Sequence, residues 1–379
     1  MQTKHICVIS EGYPFESDSW FSFVEQIVKA FCKNGVRCTV ISPQSITKAL
    51  IRKKKVRPVE WTQHTEYGDI AVYQPYYFSV GSKCPVFLNN IVYDDYIKSV
   101  VKIYKKKHLD ADRFYGHFWR SGIVAARLAR KYNKPAFIAC GESTISLFDR
   151  ITREKYQEDL DRIEGIISVS SENQRECERL GLLRGKKVTV IPNGIDGNSF
   201  KVFDKTRARD MIGAKSSDFI VAFVGAFIDR KGPNRVAQAI TSVGDDIKSV
   251  FIGKGALQPA CEGILFKGAL KHEDIPIFLN AADIFVLPTL AEGCCNAIIE
   301  ALACGLPVIS SALPFNDDIL NDDYSIRVDP TNIEEIATAI KRLKDDPSLR
   351  LLMSENARQF AAGLDINNRA QKILDFMNM

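Results

Sequence analysis

Short apolar runs alternate with segments of helical periodicity along most of the chain. "HICVIS" (5–10) and "VRCTVIS" (36–42) have the length and near-continuous apolar character of parallel strands that are buried on both faces. Between them, apolar residues recur at helical spacing over 20–31, with Asp18 as the expected N-cap and Gly35 closing the helix. The pattern predicts a doubly wound α/β fold.

A second series of the same kind begins after residue 195. "FIVAFVGA" (219–226) is typical of a buried strand, and "PNRVAQAI" (233–240) of the helix that follows it. No long linker separates the two series, so the change of domain is expected near "IPNGIDGNSF" (191–200). A length of 379 residues also favours two domains.

We therefore predict a first domain over 1–194 and a second over 195–364. The remaining segment, 365–379, is amphipathic and is expected to pack back on the first domain. Ligands of such sheets bind at the carboxyl ends of the strands, so the loops that follow strands are the candidates for function.

The composition is that of an ordinary soluble globular protein, with 46% apolar and 26% charged residues. No apolar run approaches the roughly 18 residues of a membrane span. The opening "MQTKHICVIS" enters a strand-like run at once, so we expect no signal peptide and a cytoplasmic location. The ten cysteines include no C-x-x-C motif, which favours reduced, buried thiols over catalytic or zinc-binding ones.

The net charge of +5 is distributed unevenly. Residues 1–190 hold 31 Lys and Arg against 21 Asp and Glu, with dense clusters at 52–57 and 104–108. These clusters are either solubilising surface or a docking face for an anionic membrane or a phosphate-bearing acceptor. Nucleic acid is not expected, because no nucleic-acid-binding motif accompanies them.

Two loops of the second series could carry chemistry. In "VGAFIDRKGPNRV", a strand ends at Gly225, and Arg230 and Lys231 stand directly before a helix that has Pro233 in its first turn. A helix N-terminus with cationic side chains suits a diphosphate, although a charged surface loop would have the same appearance.

The second loop is "AEGCCNAIIEALACG", in which Glu292 lies in the loop and Glu300 about one turn inside the following helix. Eight helical residues span roughly 12 Å, more than the roughly 5–9.5 Å between the carboxyls of a glycosidase, which disfavours a hydrolytic pair. A metal site is disfavoured because the nearest further ligands, Asp283 and His272, lie in separate elements. Two contacts to one extended polyol ligand fit the spacing best.

Taken together, these motifs resemble glycosyltransferase family 4, a retaining family with the GT-B fold, in which two Rossmann-like domains face each other across a cleft. "EGCCNAIIEALACGLPVIS" is similar to the family's E-x7-E signature, and "FVGAFIDRKG" to its phosphate-binding loop. "VTVIPNGIDGNSF" and "YGHFWRSG" resemble its interdomain element and its His-containing acceptor-side loop. The resemblance spans nearly the whole chain.

The resemblance implies a nucleotide-diphosphate-sugar donor and no metal or other cofactor. Glu292 would hold hydroxyls of the donor sugar and Glu300 the ribose, while Lys231, with Arg230 beside it, would neutralise the diphosphate. His117 would lie beside the sugar. The distal phosphate would be bound by the backbone of Gly293, Cys294, Cys295 and Asn296.

The chain also departs from the family pattern. Ala226 occupies the position of an expected arginine, and Arg230 is a candidate to replace its charge. Asp18 is either the helix N-cap or a contact to an acceptor hydroxyl. Glu142, in "CGE", is either an acceptor-side carboxylate or a surface one.

We therefore expect a retaining glycosyltransferase that acts on a glycan or lipid-linked acceptor in surface polysaccharide, lipopolysaccharide or capsule assembly, peripheral to the inner membrane face. The alternatives are an epimerase-like GT-B enzyme and a degenerate GT-B binding protein. The nucleotide base, the sugar, the acceptor and the oligomeric state have no local code in the sequence.

Overall fold

The computed structural model forms two compact units. The first comprises the residues up to Ile191 together with Arg369–Met379, and the second comprises Pro192–Asn368. The boundaries predicted from the sequence lie after residues 194 and 364. The residues that the structure describes are 2–16, 20–51, 56–81 and 84–379.

Up to Ile191, the first unit contains ten strands, six α-helices and a short 3-10 helix at Arg153–Tyr156 among its described residues. The elements in chain order are β1 (His5–Ile9), α1 (Ser22–Lys33), β2 (Arg37–Ile41), β3 (Gln44–Ser45), α2 (Ile46–Ile51), β4 (Glu60–Gln63), β5 (Ile70–Tyr73), β6 (Tyr76–Tyr77), α3 (Val86–Lys106), β7 (Arg113–His117), α4 (Phe118–Tyr132), β8 (Ala136–Cys140), α5 (Gln157–Asp161), β9 (Ile163–Ser168), α6 (Ser171–Arg179) and β10 (Lys187–Val190).

The second unit continues the alternation of strands and helices, with 3-10 turns at Asp229–Lys231, His272–Asp274 and Pro314–Asn316. Its elements are α7 (Lys205–Ile212), β11 (Phe219–Val224), α8 (Pro233–Val243), β12 (Ile247–Ile252), β13 (Ile264–Gly268), α9 (Ile275–Ala281), β14 (Ile284–Leu287), α10 (Asn296–Ala303), β15 (Val308–Ser311), β16 (Ser325–Val328), α11 (Ile333–Asp345), α12 (Pro347–Ala362) and the start of α13 (Ile366–Asn378).

Both main sheets are parallel, as the runs of buried apolar residues predict. The first has the order β10-β9-β8-β7-β1-β2-β5-β4, with only β4 antiparallel to its neighbour. The second is parallel throughout, with the order β13-β12-β11-β14-β15-β16, the arrangement of a dinucleotide-binding sheet. The predicted doubly wound α/β fold is therefore confirmed.

The last helix joins the first unit from Arg369 onward. The Phe376 ring lies 6.0 Å from the Phe137 ring, and the side chain of Asn378 accepts a 2.7 Å hydrogen bond from the hydroxyl of Thr3. Within the described parts of the chain, no helix has both the length and the apolar character needed to cross a membrane.

Helix α1 begins later than predicted. Its first residue is Ser22, and Phe21 stands at the N-cap in a left-handed conformation with φ 67° and without a side-chain cap. The Phe21 ring packs 5.0 Å from Phe23 and 5.9 Å from Phe118, so aromatic packing sets the helix start. The N-cap predicted at Asp18 is therefore wrong, and Asp18 itself lies outside the described residues.

Close packing of α4 on β7 fixes the turn that carries His117. A Cβ atom added to Gly116 would lie 2.3 Å from the Cα of Gly122, a backbone atom that cannot move aside. The two glycines therefore allow the helix to turn directly back over the strand that it follows.

Glu142 holds the start of the same helix. Its carboxylate accepts a 2.7 Å hydrogen bond from the backbone N–H of Trp119, in the first turn of α4, and a 3.1 Å bond from the N–H of Gly141. Burial raises the pKa of the Glu142 carboxyl to about 7, even though these N–H donors favour the charged form. Glu142, which the sequence left as either an acceptor-side or a surface carboxylate, is therefore a cap of α4.

Gly116→Ala is expected to destabilise the first unit strongly, because the new methyl group would overlap the backbone of Gly122. Overpacking of this kind costs about 1–3 kcal/mol, occasionally more. Thermal unfolding should show a midpoint several degrees lower. Gly81→Ala is the matched control, because a Cβ there meets no atom within 4 Å. Equal midpoints for the two variants would contradict the packing argument.

Glu142→Gln is expected to change how stability depends on pH. The carboxyl has an ordinary pKa of 4.5 and a folded pKa of about 7, so between these values the unfolded chain loses its proton first. Wild-type stability therefore falls as pH rises through this window, whereas the glutamine variant has no such dependence at this position. The midpoint of the variant relative to wild type should rise from pH 5 to pH 8. A constant difference would argue against the raised pKa.

Candidate active site

Glu292 lies in the loop between β14 and α10, surrounded by donors. Its Oε1 atom accepts a 2.7 Å hydrogen bond from the Thr289 hydroxyl and forms an ion pair with the Lys231 ammonium group. The Arg230 guanidinium lies 3.3 Å from the same oxygen. The Glu292 and Lys231 side chains are only 12% and 14% exposed, so the pair is shielded from bulk water.

The two loops that supply these groups are bonded to each other. The backbone N–H of Leu290 donates to the carbonyl of Arg230 at 2.8 Å, and the Arg230 guanidinium donates to the carbonyl of Ala291. Gly232 turns the chain with φ 74°, and a Cβ there would lie 2.9 Å from the carbonyl oxygen of Pro288. The close approach of the loops therefore depends on this glycine.

The structure thus brings together three residues that the sequence predicted from two separate motifs. Lys231 and Arg230 follow β11, and Glu292 follows the neighbouring strand β14. Arg230 is 41% exposed at its side chain, more open than Lys231. It stands beside the lysine although Ala226 occupies the position of the expected arginine.

Glu300 has a different environment. It is buried in α10, and its Oε1 atom lies 2.8 Å from the Nε2 atom of His272. The hydrogen bond to Glu300 raises the pKa of His272, whose ring packs 4.9 Å from Phe200. The two glutamates therefore have different partners, Thr289, Lys231 and Arg230 for Glu292 and His272 for Glu300.

His272 is a candidate site residue that no motif of the sequence indicates. The sequence suggests it only as a metal ligand, and among the described residues no group of three potential metal-ligating side chains is found. The residue stands 28 positions from Glu300, so no local spacing signals the contact.

The segment between the glutamates begins α10. Asn193 binds it from the side: its amide donates to the Asn296 side chain at 2.8 Å and to the Cys294 carbonyl at 3.2 Å. Burial raises the pKa of the Cys295 thiol to about 11, so that thiol is neutral at physiological pH. Gly293, Cys294, Cys295 and Asn296 thus occupy a helix start, where backbone N–H groups lack helical acceptors.

His117 ends β7 in the first unit. Its side chain is buried against the rings of Phe23 and Phe118, at 5.1 and 4.7 Å, and its Nδ1 atom has no hydrogen-bond partner among the described residues. Burial and the nearby charge of Arg369 lower the pKa of His117 to about 3. The imidazole is therefore neutral at physiological pH.

A cavity of about 580 Å³ lies in the same unit. Glu142 lines it, together with Glu11 and Arg120, which form a 3.1 Å ion pair. Asp18, the other acceptor-side candidate, cannot be placed, since it lies outside the described residues. Residues 52–55 of the first basic cluster lie outside them as well.

Two family models match the chain. The model of Glycosyltransferase Family 4 matches residues 22–198, and the model of Glycosyl transferases group 1 matches residues 204–360. The two matches together span most of both units.

Curated relatives are glycosyltransferases as well. TuaC of Bacillus subtilis, named as a glycosyltransferase of teichuronic acid biosynthesis, is 26% identical over 86% of this chain and 85% of its own length. The UDP-Gal:alpha-D-GlcNAc-diphosphoundecaprenol alpha-1,3-galactosyltransferase of Escherichia coli is 28% identical over 77% of this chain and 81% of its own length.

Sucrose-phosphate synthase of Thermosynechococcus elongatus has a similar structure, with a TM-score of 0.76 at 18% identity, covering 98% of this chain and 97% of its own. This likeness establishes the GT-B fold. The chain therefore belongs to the group 1, family 4 glycosyltransferases.

Proposed function

We propose that this glycosyltransferase moves a sugar, with retention of anomeric configuration, from a nucleotide-diphosphate-sugar to a saccharide on a lipid carrier in surface polysaccharide assembly. The observation that carries the donor assignment is the convergence of Lys231, Arg230 and Glu292 near the start of α10. Cations and a helix N-terminus favour a diphosphate, and a carboxylate beside them suits sugar hydroxyls.

The ion pair between Lys231 and Glu292 prepares the site for this ligand. Without a donor, each charge compensates the other in a shielded position. When the donor binds, the phosphate takes the lysine and the sugar hydroxyls take the carboxylate, so both groups keep a partner. Arg230 adds positive charge as the diphosphate departs.

We assign Glu300 to the ribose of the donor. His272 occupies its Oε1 atom, which leaves Oε2 available to accept from ribose hydroxyls. The raised pKa of His272 favours an imidazolium that orients the carboxylate. We therefore assign His272 a positioning role in donor binding.

Metal-independent transfer is part of the proposal. The two cations and the start of α10 would stabilise the negative charge of the departing diphosphate. In metal-dependent enzymes a divalent ion stabilises that charge. Full activity in excess EDTA supports this, and an activity that requires added Mg²⁺ or Mn²⁺ argues against it.

His117 would lie beside the transferred sugar as a neutral group. The transition state of glycosyl transfer develops positive charge at the sugar, which a protonated imidazole would oppose. Burial keeps His117 unprotonated and thus removes that repulsion.

Two observations support a lipid-linked acceptor: the name of one relative, and the positive charge of residues 1–190. The Escherichia coli relative is named for a diphosphoundecaprenol-linked acceptor. The excess of basic residues over 1–190 suits contact with an anionic membrane surface, where such acceptors reside.

Lys231→Ala and Glu300→Ala should each reduce donor affinity or turnover at least tenfold, about 1.4 kcal/mol, because each loses a contact to diphosphate or ribose. Lys341→Ala, at an exposed lysine of the same unit, is the control. A thermal-shift panel of UDP-, GDP- and ADP-sugars identifies the donor and measures the loss of donor affinity in each variant. Wild-type values in both site variants would refute the assignment.

The chain is expected to sediment with phosphatidylglycerol vesicles and not with phosphatidylcholine vesicles. A basic residue near an anionic surface contributes about 1 kcal/mol, so alanines at 52–55 should weaken the partitioning at least tenfold. The same number of alanines at exposed lysines of the second unit is the control. Binding that is absent, or equal on both vesicle types, would contradict the membrane contact.

A further inference from the structure

Under the proposed function, two loops of the second unit bind different parts of the donor. We call the segment 229–232, which holds Lys231, the lysine loop, and the segment 288–292, which holds Glu292, the glutamate loop. The lysine loop is assigned to the diphosphate and the glutamate loop to the sugar. The spacing between the two loops therefore decides whether one donor molecule can reach both of them.

The side chain of Arg235 bonds to both loops. It extends from the first turn of α8, and its Nη2 atom donates to the backbone carbonyl of Asp229, in the lysine loop, at 2.8 Å. The same nitrogen donates to the backbone carbonyl of Pro288, in the glutamate loop, at 3.1 Å. The Nη1 atom donates to the Asp229 carboxylate at 2.8 Å. One guanidinium group thus joins the starts of the two loops.

The bonds to the carbonyls matter more than the ion pair. The Asp229 side chain is 79% exposed, and an ion pair with an exposed partner contributes little to stability. The Arg235 side chain is only 13% exposed, so the loss of a carbonyl acceptor would leave a shielded, charged N–H group unsatisfied. The two carbonyls therefore hold the guanidinium in place.

Local helix chemistry does not favour an arginine at this position. The N-terminus of a helix carries a partial positive charge that disfavours a cation, and the first turn of α8, "PNRV", contains no acidic residue. The Nε atom of Arg235 is also buried without a hydrogen-bond partner among the described residues. The bonds to the two loops, rather than the stability of α8, account for the arginine.

The backbone next to Lys231 packs tightly against this guanidinium. A Cβ atom added to Gly232 would lie 2.7 Å from the Nη2 atom of Arg235 and 2.9 Å from the carbonyl oxygen of Pro288. The lysine loop therefore passes directly beside the contact between Arg235 and the glutamate loop. The position of the guanidinium thus limits where the backbone that follows Lys231 can lie.

We propose that Arg235 is a positioning residue that sets the spacing between Lys231 and Glu292, and that it thereby adapts the site to a ligand with both a diphosphate and a sugar. Arg235 acts through the two loops and not by contact with the donor. Supporting hydrogen bonds of this kind hold ligand-binding groups in a fixed geometry. This inference rests on the proposed function, since it adds a residue to the same donor site.

The test compares ligands that reach one loop or both. Calorimetry on the full-length protein measures the affinities of UDP-galactose and UDP, GDP-mannose and GDP, and ADP-glucose and ADP, and the pair whose sugar nucleotide binds the wild type most tightly is used. Arg235→Met should weaken the sugar nucleotide at least fivefold, because the loops lose their common contact. It should change the affinity for the nucleoside diphosphate less than twofold, because that ligand has no sugar to reach the glutamate loop.

Arg235→Lys separates position from charge. A lysine keeps the positive charge but lacks the planar fork of the guanidinium, so the same selective loss is expected. Arg207→Met is the matched control, at an exposed arginine of the same unit outside both loops, and should match the wild type. Wild-type affinities in Arg235→Lys would indicate a role of charge alone and overturn the proposal. Equal weakening of both ligands in Arg235→Met, or unchanged affinities in that variant, would overturn it as well.

The wild type separates this inference from the proposed function. If no sugar nucleotide binds the wild type, the proposed donor class is refuted. If one binds the wild type and both Arg235 variants with an unchanged preference over its nucleoside diphosphate, the positioning role alone is refuted. Thermal unfolding without ligand shows which variants are folded, and Arg235→Lys carries the test where Arg235→Met is not.

Discussion

Parallel pairing brings the functional residues of each unit together. When strands run in one direction, all their carboxyl ends lie at one edge of the sheet, and the loops that follow distant strands become neighbours. In the second unit this places the Arg230-Lys231 loop beside the loop of Glu292, because β11 and β14 are paired although 61 residues separate Lys231 from Glu292. In the first unit it brings the residues after β1, β7 and β8 to one cavity.

That geometry imposes an electrostatic requirement. A lysine and a glutamate that are nearly covered by protein lose hydration, so each needs a partner before any ligand arrives. The structure meets the requirement by pairing them with each other and adding the Thr289 hydroxyl. A ligand with both a phosphate and a sugar can replace these internal contacts one for one, whereas a simple anion would leave Glu292 without Lys231. Under the proposed function, the pair would therefore favour a glycosylated diphosphate over a bare one.

The secondary structure and the loop positions that depend on local sequence patterns could be predicted from the sequence. Continuous apolar runs such as 219–226 became buried parallel strands, and the glutamates at 292 and 300 took the predicted loop and helix positions. The N-cap at Asp18 failed because ring packing at Phe21, which involves Phe118 far along the chain, starts the helix instead. The role of His272 has no local signal for the same reason: its contact to Glu300 exists only after the 3-10 turn His272–Asp274 and α10 are placed. Local propensity does not report such long-range contacts.

The two units also differ in the charge that they offer. Two candidate site residues of the first unit, His117 and Glu142, have pKa values that burial shifts towards their neutral forms. The second unit instead presents two cations beside a helix start. In glycosyl transfer the sugar becomes more positive as the diphosphate becomes more negative. Under the proposed function, neutral groups near the sugar and cations near the diphosphate would favour that separation of charge.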